Sequence, residues 1–223
     1  MKISIAVCTH NEGQYIDYLL ERLVKETAAA SGEFEIVVVD DNSTDDAVLT
    51  AFSKYADKIS VYHHQLNRDF ATHKNFMNSK CSGEWIFNLD ADELPPSDLI
   101  ENIHAILLAN SHIDAFWLPR VNIVDGVTDE HIRIWGWRIQ DTDHQYKTEN
   151  SAFEKKKKIN WPDWQLRIYK NLPSIKWEGK VHEQLTGHDV FSQFPADEEY
   201  AILHSKHIDR QVAQNSFYDT IHR

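Results

Sequence analysis

Residues 34–40 read Phe-Glu-Ile-Val-Val-Val-Asp, and the four consecutive β-branched side chains at 36–39 leave this stretch little conformational choice. Branching at Cβ restricts χ1 and favours the extended chain over the helix. A strand with one wet face would alternate apolar and polar residues, and this one does not. It is therefore expected to be buried on both faces, as in a parallel sheet with helices above and below.

The surrounding pattern agrees. "KISIAVCT" at the start alternates Ile3, Ile5 and Val7 as a strand does, which also argues against reading it as a signal peptide. Ile16, Leu19, Leu20, Leu23 and Val24 then fall at i, i+3, i+4, i+7 and i+8, the apolar stripe of a helix. After the 34–40 strand comes a helix carrying Val48, Ala51, Phe52 and Tyr55. "KISVYHH" (58–64) reads as a strand, "FATHKNFMNSK" as a short helix and "EWIFNLD" (84–90) as a fourth strand. A helix begins near Ser97 with Leu99, Ile100, Ile103, Ile106 and Leu107 on one face. This order predicts an α/β fold with a mostly parallel central sheet and flanking helices.

Beyond residue 113 the pattern changes. "IDAFWLPRVNI", "DWQLRIYKN" and "IKWEGKVHEQL" each read as one strand, and 122–160 has no clear period. With 223 residues and no Gly/Pro-rich linker, one domain is expected, with a binding half at 1–112 and a second half at 113–223. No apolar run reaches the ~20 residues of a membrane span. Cys8 and Cys81 are too few for a disulfide framework, which suits reduced core thiols and a cytoplasmic location. The net charge of -12 disfavours nucleic-acid partners and suits a chain that uses a cation to approach an anionic ligand. The lysines at 155–158 are expected to form a solvated loop, with contact to an anionic acceptor or membrane headgroups as the functional alternative.

Ligands of parallel α/β sheets bind at the carboxyl ends of the strands, and three polar clusters fall there. "THNEG" follows the first strand; Asn11 is expected to cap the next helix, with Gln14 completing a capping box. "DDNSTDD" follows the second. Capping needs one of Asn42, Ser43 or Thr44, so Asp40 and Asp41 are left for a nucleobase or ribose. "DADE" follows the fourth. Asp90 and Asp92, at i and i+2, can share one hard cation and leave positions for phosphate oxygens, as Mg²⁺ and Mn²⁺ prefer. A bare Asp-x-Asp is common in surface turns; its place after a buried strand gives it weight.

These clusters, with "HKN" at 73–75, "SGEW" at 82–85 and "WQLRIYKN…IKWEGKVHEQL" at 164–185, resemble the small non-processive members of family 2 glycosyltransferases. The resemblance runs from residue 1 to about 205. It implies a GT-A fold, meaning a Rossmann-like nucleotide-diphospho-sugar transferase, with a UDP- or GDP-linked donor, Mn²⁺ or Mg²⁺, and a glycan or lipid-linked acceptor. Matched position by position, it assigns Thr9, Asn11, Glu12, Asp40 and Asp41 to the nucleotide and Lys74 to the donor phosphates. Asp90 falls to ribose and metal, Asp92 to the metal, and Glu93 behind them. Glu183 is the implied general base, with Asp163 in reserve, and His204 an added metal ligand. Each has a plain alternative: an exposed helix lysine, ordinary surface acids, a structural histidine. Trp135, Trp137 and Trp164 can line an acceptor groove or pack a core. Two departures are visible: Asp69 stands where the family often has Gly, and the Gln-x-x-Arg-Trp motif of processive synthases is missing.

Two other classes are weighed against this one. A sugar nucleotidyltransferase needs a Gly-rich, Arg-bearing loop after the first strand, which "CTHNEGQYI" lacks. A non-catalytic nucleotide-sugar or glycan binder has no need of Asp90 and Asp92 together.

Overall fold

The β-branched run does become a buried strand, and the helix-strand alternation around it holds. A computed structural model describes residues 1–148 and 152–221. The chain forms β1 (Lys2–Thr9), α1 (Gly13–Ala29), β2 (Glu33–Asp40), α2 (Asp46–Lys54), β3 (Ser60–His63), α3 (Phe70–Asn78) and β4 (Trp85–Asp90). Next come β5 (Glu93–Leu94), α4 (Ser97–Ala109), β6 (Ala115–Leu118), β7 (Arg120–Asp125), α5 (Asp129–Trp135), β8 (Ile139–Tyr146) and β9 (Glu154–Ile159). The remainder is β10 (Gln165–Lys170), β11 (Lys176–Glu178), β12 (Gln184–Thr186), β13 (Phe191–Gln193), a 3-10 turn at Glu198–Tyr200, β14 (Ile202–His207) and α6 (Ile208–Ile221).

These elements sort into two compact units that interleave along the chain. The first holds residues 1–92, 97–117 and 166–193. Its seven-stranded sheet runs β13-β6-β10-β4-β1-β2-β3. β1 pairs in parallel with β2 on one side and β4 on the other, β3 continues in parallel beyond β2, and β10 runs antiparallel to β4. Building outward from β1, the chain first goes toward β3 and then crosses back to β4. That reversal makes the carboxyl ends of β1 and β4 a topological switch point, where such sheets take their ligands. Ile16, Leu19, Leu20 and Leu23 are fully buried on α1, as are Ile3, Ile5 and Val7 on β1.

The second unit holds residues 93–96, 118–165 and 194–223, around a five-stranded sheet ordered β5-β14-β7-β9-β8. Two small clusters pack it, one on Val121, Ile123 and Ala201 and one on Val124, Ile159 and Ile208.

Several expectations from the later sequence need correcting. "IDAFWLPRVNI" is two strands in two different sheets, because Pro119 has no N–H to continue a ladder. "IKWEGKVHEQL" is the β11–β12 hairpin, turned through Gly179 (φ 93°) and His182 (φ 54°), both in the left-handed region. The stretch 122–160, apart from 149–151, which lie outside the described residues, is β7, α5 and the β8–β9 pair. The lysine run is therefore in a strand. Lys156 pairs with Asp125 and Glu154, Lys157 with Asp141, and Lys158 with Asp143 and Glu198. Among the described residues no helix is long and apolar enough to cross a membrane.

Candidate functional site

At the carboxyl end of β1 the loops after β1 and β2 hold each other in place. Asn11 adopts φ 51°, and its Oδ1 accepts from the N–H groups of Thr44 (2.8 Å) and Asp45 (3.1 Å). Asp45 reciprocates: Oδ2 accepts from Gly13 N at 3.1 Å, while Oδ1 caps α2 through Ala47 N at 2.8 Å. The loops approach so closely that a Cβ on Gly13 would lie 2.3 Å from that of Ala47. Two capping expectations are thereby corrected. Glu12, not Asn11, occupies the N-cap of α1 and makes no side-chain cap, because the Asn11 amide is spent on the neighbouring loop. Asp45, not residues 42–44, caps α2.

Asp40 and Asp41 also have structural duties that were not foreseen. Asp40, 1% exposed, accepts from Ser43 through both backbone N–H and hydroxyl, and from His63 Nδ1 at 3.2 Å. Asp41 Oδ1 accepts from Leu66 N at 2.8 Å. Between these loops Thr9, in register with Asp40, has a buried hydroxyl with no hydrogen-bond partner among the described residues.

The carboxyl end of β4 carries four alternating charges. Arg167, on β10 and 4% exposed, donates from Nη2 to Asp90 Oδ2 at 2.6 Å and from Nη1 to Asn88 Oδ1 at 3.3 Å. Lys74, on the buried face of α3, donates from Nζ to Glu183 Oε1 at 2.6 Å and lies 4.5 Å above the Trp177 ring. Asp69 caps α3 through Thr72 N at 2.9 Å, which accounts for an acid at that turn. Asn75, one residue after Lys74, exchanges two hydrogen bonds (2.8 and 2.9 Å) with the backbone of Trp177, docking the hairpin that delivers Glu183.

Burial alone would push Lys74 below its ordinary pKa. The charges of Asp90 and Glu183 outweigh it and hold the ammonium above that value, so Lys74 stays cationic. The nearby Cys8 is pushed up to about 12, chiefly by burial, which leaves it a thiol and no nucleophile.

Asp92 follows on the turn after Ala91 and is half-buried. Among the described residues no group of three or more His, Cys, Asp or Glu side chains is gathered as a metal cage. A hard cation held by one or two carboxylates and completed by phosphate oxygens requires none. Asp90, 40% exposed at the strand end, and Asp92 at i+2 supply oxygen donors of the right kind.

In the second unit three of the sequence candidates belong to one network. Glu93 is fully buried and accepts from Arg120 Nη1 at 2.7 Å. Arg120 also donates from Nε (2.9 Å) and Nη2 (2.6 Å) to Asp163 Oδ2, which further accepts from Asn122 Nδ2 at 2.8 Å. His204 Nδ1 meets Asn122 Oδ1 at 2.7 Å, and Gln165 Nε2 donates to Asp163 Oδ1 at 3.0 Å. Burial raises the Asp163 pKa, but Arg120, Asn122 and Gln165 outweigh it and hold the group below the ordinary carboxylate range. Asp163 is thus a weaker proton acceptor than an ordinary carboxylate. Trp135 and Trp137 pack on Val124, Ile159 and Ile208 with their rings 4.7 Å apart.

Arg120, Arg167, Asn122 and Asn88 were not singled out from the sequence. A signal existed for two: a lone Asn inside the apolar run "WIFNLD", and a lone Arg between Leu166 and Ile168 on a strand meant for a core.

Residues 4–170 match the family model described as glycosyl transferase family 2. An uncharacterized glycosyltransferase of Haemophilus influenzae is 31% identical over 115 residues, covering 51% of this chain and 35% of its own length. The poly(ribitol-phosphate) beta-N-acetylglucosaminyltransferase TarS of Staphylococcus aureus is 32% identical over 110 residues, 48% of this chain and 19% of the relative. The chain thus spans about a third or less of these relatives. Among solved structures, S. aureus TarS 1–349 in complex with UDP-GlcNAc superposes with a TM-score of 0.59 at 21% identity, covering 92% of this chain and 59% of that one. At that identity the likeness shows the fold: the chain has the GT-A architecture.

Proposed function

The chain belongs to glycosyl transferase family 2, and on that premise we propose a metal-dependent, inverting transferase. It moves a sugar from a UDP- or GDP-linked donor to a glycan or lipid-linked acceptor. The observation that carries this reading is the cluster of Asp90, Arg167, Lys74 and Glu183 at the carboxyl end of β4, beside the Asp92 turn. Two buried cations and a pair of metal-type carboxylates suit a nucleoside diphosphate better than a neutral ligand.

In this reading residues 1–112 hold the donor and the rest of the single catalytic domain supplies the acceptor side, with the β10 and hairpin residues closing on the donor. Thr9, Asn11, Glu12, Asp40 and Asp41 frame the nucleoside, and the buried Thr9 hydroxyl is available to it. Lys74 faces the diphosphate. Asp90 and Asp92 would hold Mn²⁺ or Mg²⁺. When bound, the metal neutralises charge on the leaving diphosphate as a Lewis acid. Glu183 accepts the proton of the acceptor hydroxyl as that oxygen bonds to the anomeric carbon. The bond from that carbon to the diphosphate oxygen breaks, and its electron pair leaves with the nucleoside diphosphate. Free half-buried Cys8 and Cys81 support a cytoplasmic setting.

The test is thermal unfolding with a panel of UDP- and GDP-linked sugars and Mn²⁺, beginning with UDP-GlcNAc, alongside slow donor hydrolysis. A true donor at a hundred times its Kd adds about 2.7 kcal/mol, or about 5–10 °C at this size. Asp92→Asn should remove the metal-dependent part. A wild type that no nucleotide sugar stabilises, and that hydrolyses none, refutes the proposal. Stabilisation without hydrolysis in either form marks a binder.

A further inference from the structure

The Lys74–Glu183 ion pair raises a question that the proposed reaction leaves open. The lysine assigned to the donor's phosphates and the carboxylate assigned to the acceptor's proton are bonded to each other at 2.6 Å. Neither can do its work while they are. We propose that Glu183 stands in for the donor's diphosphate on Lys74, so that donor binding breaks the pair and releases Glu183 to the acceptor. This rests on the transferase reading and adds a switch to it: the general base is held by Lys74 until a diphosphate takes its place.

Three observations support it. First, the pair is not needed to dock the hairpin. Asn75 already fixes Trp177 through two hydrogen bonds, and Phe70 N donates to Lys180 O at 2.9 Å. Second, a buried ion pair contributes little net stability, because the desolvation of both partners offsets the attraction. An apolar pair would hold the hairpin as well. Third, the local charges balance with the pair closed: Lys74 and Arg167 against Asp90 and Glu183, all of which bear on the Lys74 ammonium. A diphosphate arriving at that ammonium meets a like-charged competitor only a few ångströms away. One ammonium can hold both anions only at the cost of their mutual repulsion in a poorly solvated site. Exchange of Glu183 for phosphate oxygens keeps Lys74 paired throughout.

The test is calorimetric titration of UDP, with uridine as the phosphate-free control, into wild type, Glu183→Gln, Glu183→Asp and Lys74→Met in the presence of Mg²⁺. Glu183→Gln removes the competing charge at constant shape and should bind UDP about three- to tenfold more tightly, with uridine unchanged. Its donor turnover should fall, so KM and kcat drop together. A merely structural pair would lower the melting temperature and leave UDP affinity unchanged or weaker, and that result overturns the inference. Glu183→Asp, which shortens the reach and keeps the fold's charge balance, should move UDP affinity the same way by less, and its failure to do so also overturns it. Lys74→Met should lose UDP binding. If wild type binds neither UDP nor GDP, the donor reading itself has failed, a different outcome from a normal wild type and an unimproved Glu183→Gln.

Discussion

Arg120 is the residue whose loss should be felt most in the second unit. Its guanidinium makes three charge-assisted hydrogen bonds, one to Glu93 and two to Asp163. Glu93 is fully buried and Arg120 is 17% exposed. Arg120→Met keeps the bulk and removes the charge, leaving a carboxylate where solvent does not reach. Removing one partner of a buried pair costs about 3–5 kcal/mol. Asp163 is partly solvated and keeps Asn122 and Gln165, so its share is smaller. We expect about 4 kcal/mol in all, which at about 2–4 °C per kcal/mol lowers Tm by about 8–16 °C. Arg120→Lys preserves the charge but not the planar fork that serves two acids at once, and should lose about half as much. Urea denaturation gives both values. Glu93 is bonded directly to Asp92 in the chain, so the same variants should also weaken the Mn²⁺-dependent thermal shift of wild type. An Arg120→Met protein within about 1 kcal/mol of wild type would refute the argument that this network is closed and desolvated.

Two further predictions concern the sheet and its loops. Glu35 is pushed up by burial, but hydrogen bonds from Lys2, Ser4 and Ser82 prevail and hold it at about 2. A depressed carboxylate contributes stability above its unfolded pKa and loses it as pH falls toward the folded value. Discounted for partial exposure, Glu35→Gln should therefore be destabilised by about 2 kcal/mol at pH 7, and its denaturation curve should converge with wild type between about pH 5 and pH 2. A pH-independent difference would remove the basis of that assignment. Asn11→Ala should cost about 1–2 kcal/mol through the lost bonds to Thr44 and Asp45 and should weaken nucleotide binding, as titration with UDP will show; unchanged UDP affinity would detach that loop from the nucleoside.

The sheet was legible because its signals are local. A β-branched run, an i/i+3/i+4 stripe and a polar strand end each sit within about ten residues, and those elements formed where expected. The pairings were not legible, because they join distant segments: Arg167 to Asp90 across 77 positions, Trp177 to Asn75 across 102. Spacing along the chain carries no information about such partners until the strand register is known. The capping errors have the same origin. Asn11 has the right chemistry to cap its own helix, but a loop 33 residues later competes for its amide and wins. The hairpin read as one strand failed differently. Gly179 alone is weak evidence for a turn, and His182 in the left-handed region gives no sequence signal at all.

The acidic run 90–93 shows how such distant partners make a local pattern tolerable. It is where the chain leaves the first unit's sheet, at Asp90 on β4, and enters the second unit's sheet, at Glu93 on β5. Three carboxylates in four residues repel one another, and one of them is fully buried. Each of the outer two is neutralised by an arginine from its own unit, Asp90 by Arg167 and Glu93 by Arg120. Both arginines are anchored by further polar groups, Arg167 by Asn88 and Arg120 by Asp163. A surface turn that happened to be acidic would have no use for a buried Arg167 and a largely covered Arg120 beside its carboxylates, since solvent would screen its charges. Asp90 and Glu93 are each held by an arginine within their own unit, and Asp92 lies on the turn between them. That is what a carboxylate needs if it is to meet a hard cation at a set position, and it requires no other protein ligand from the turn itself.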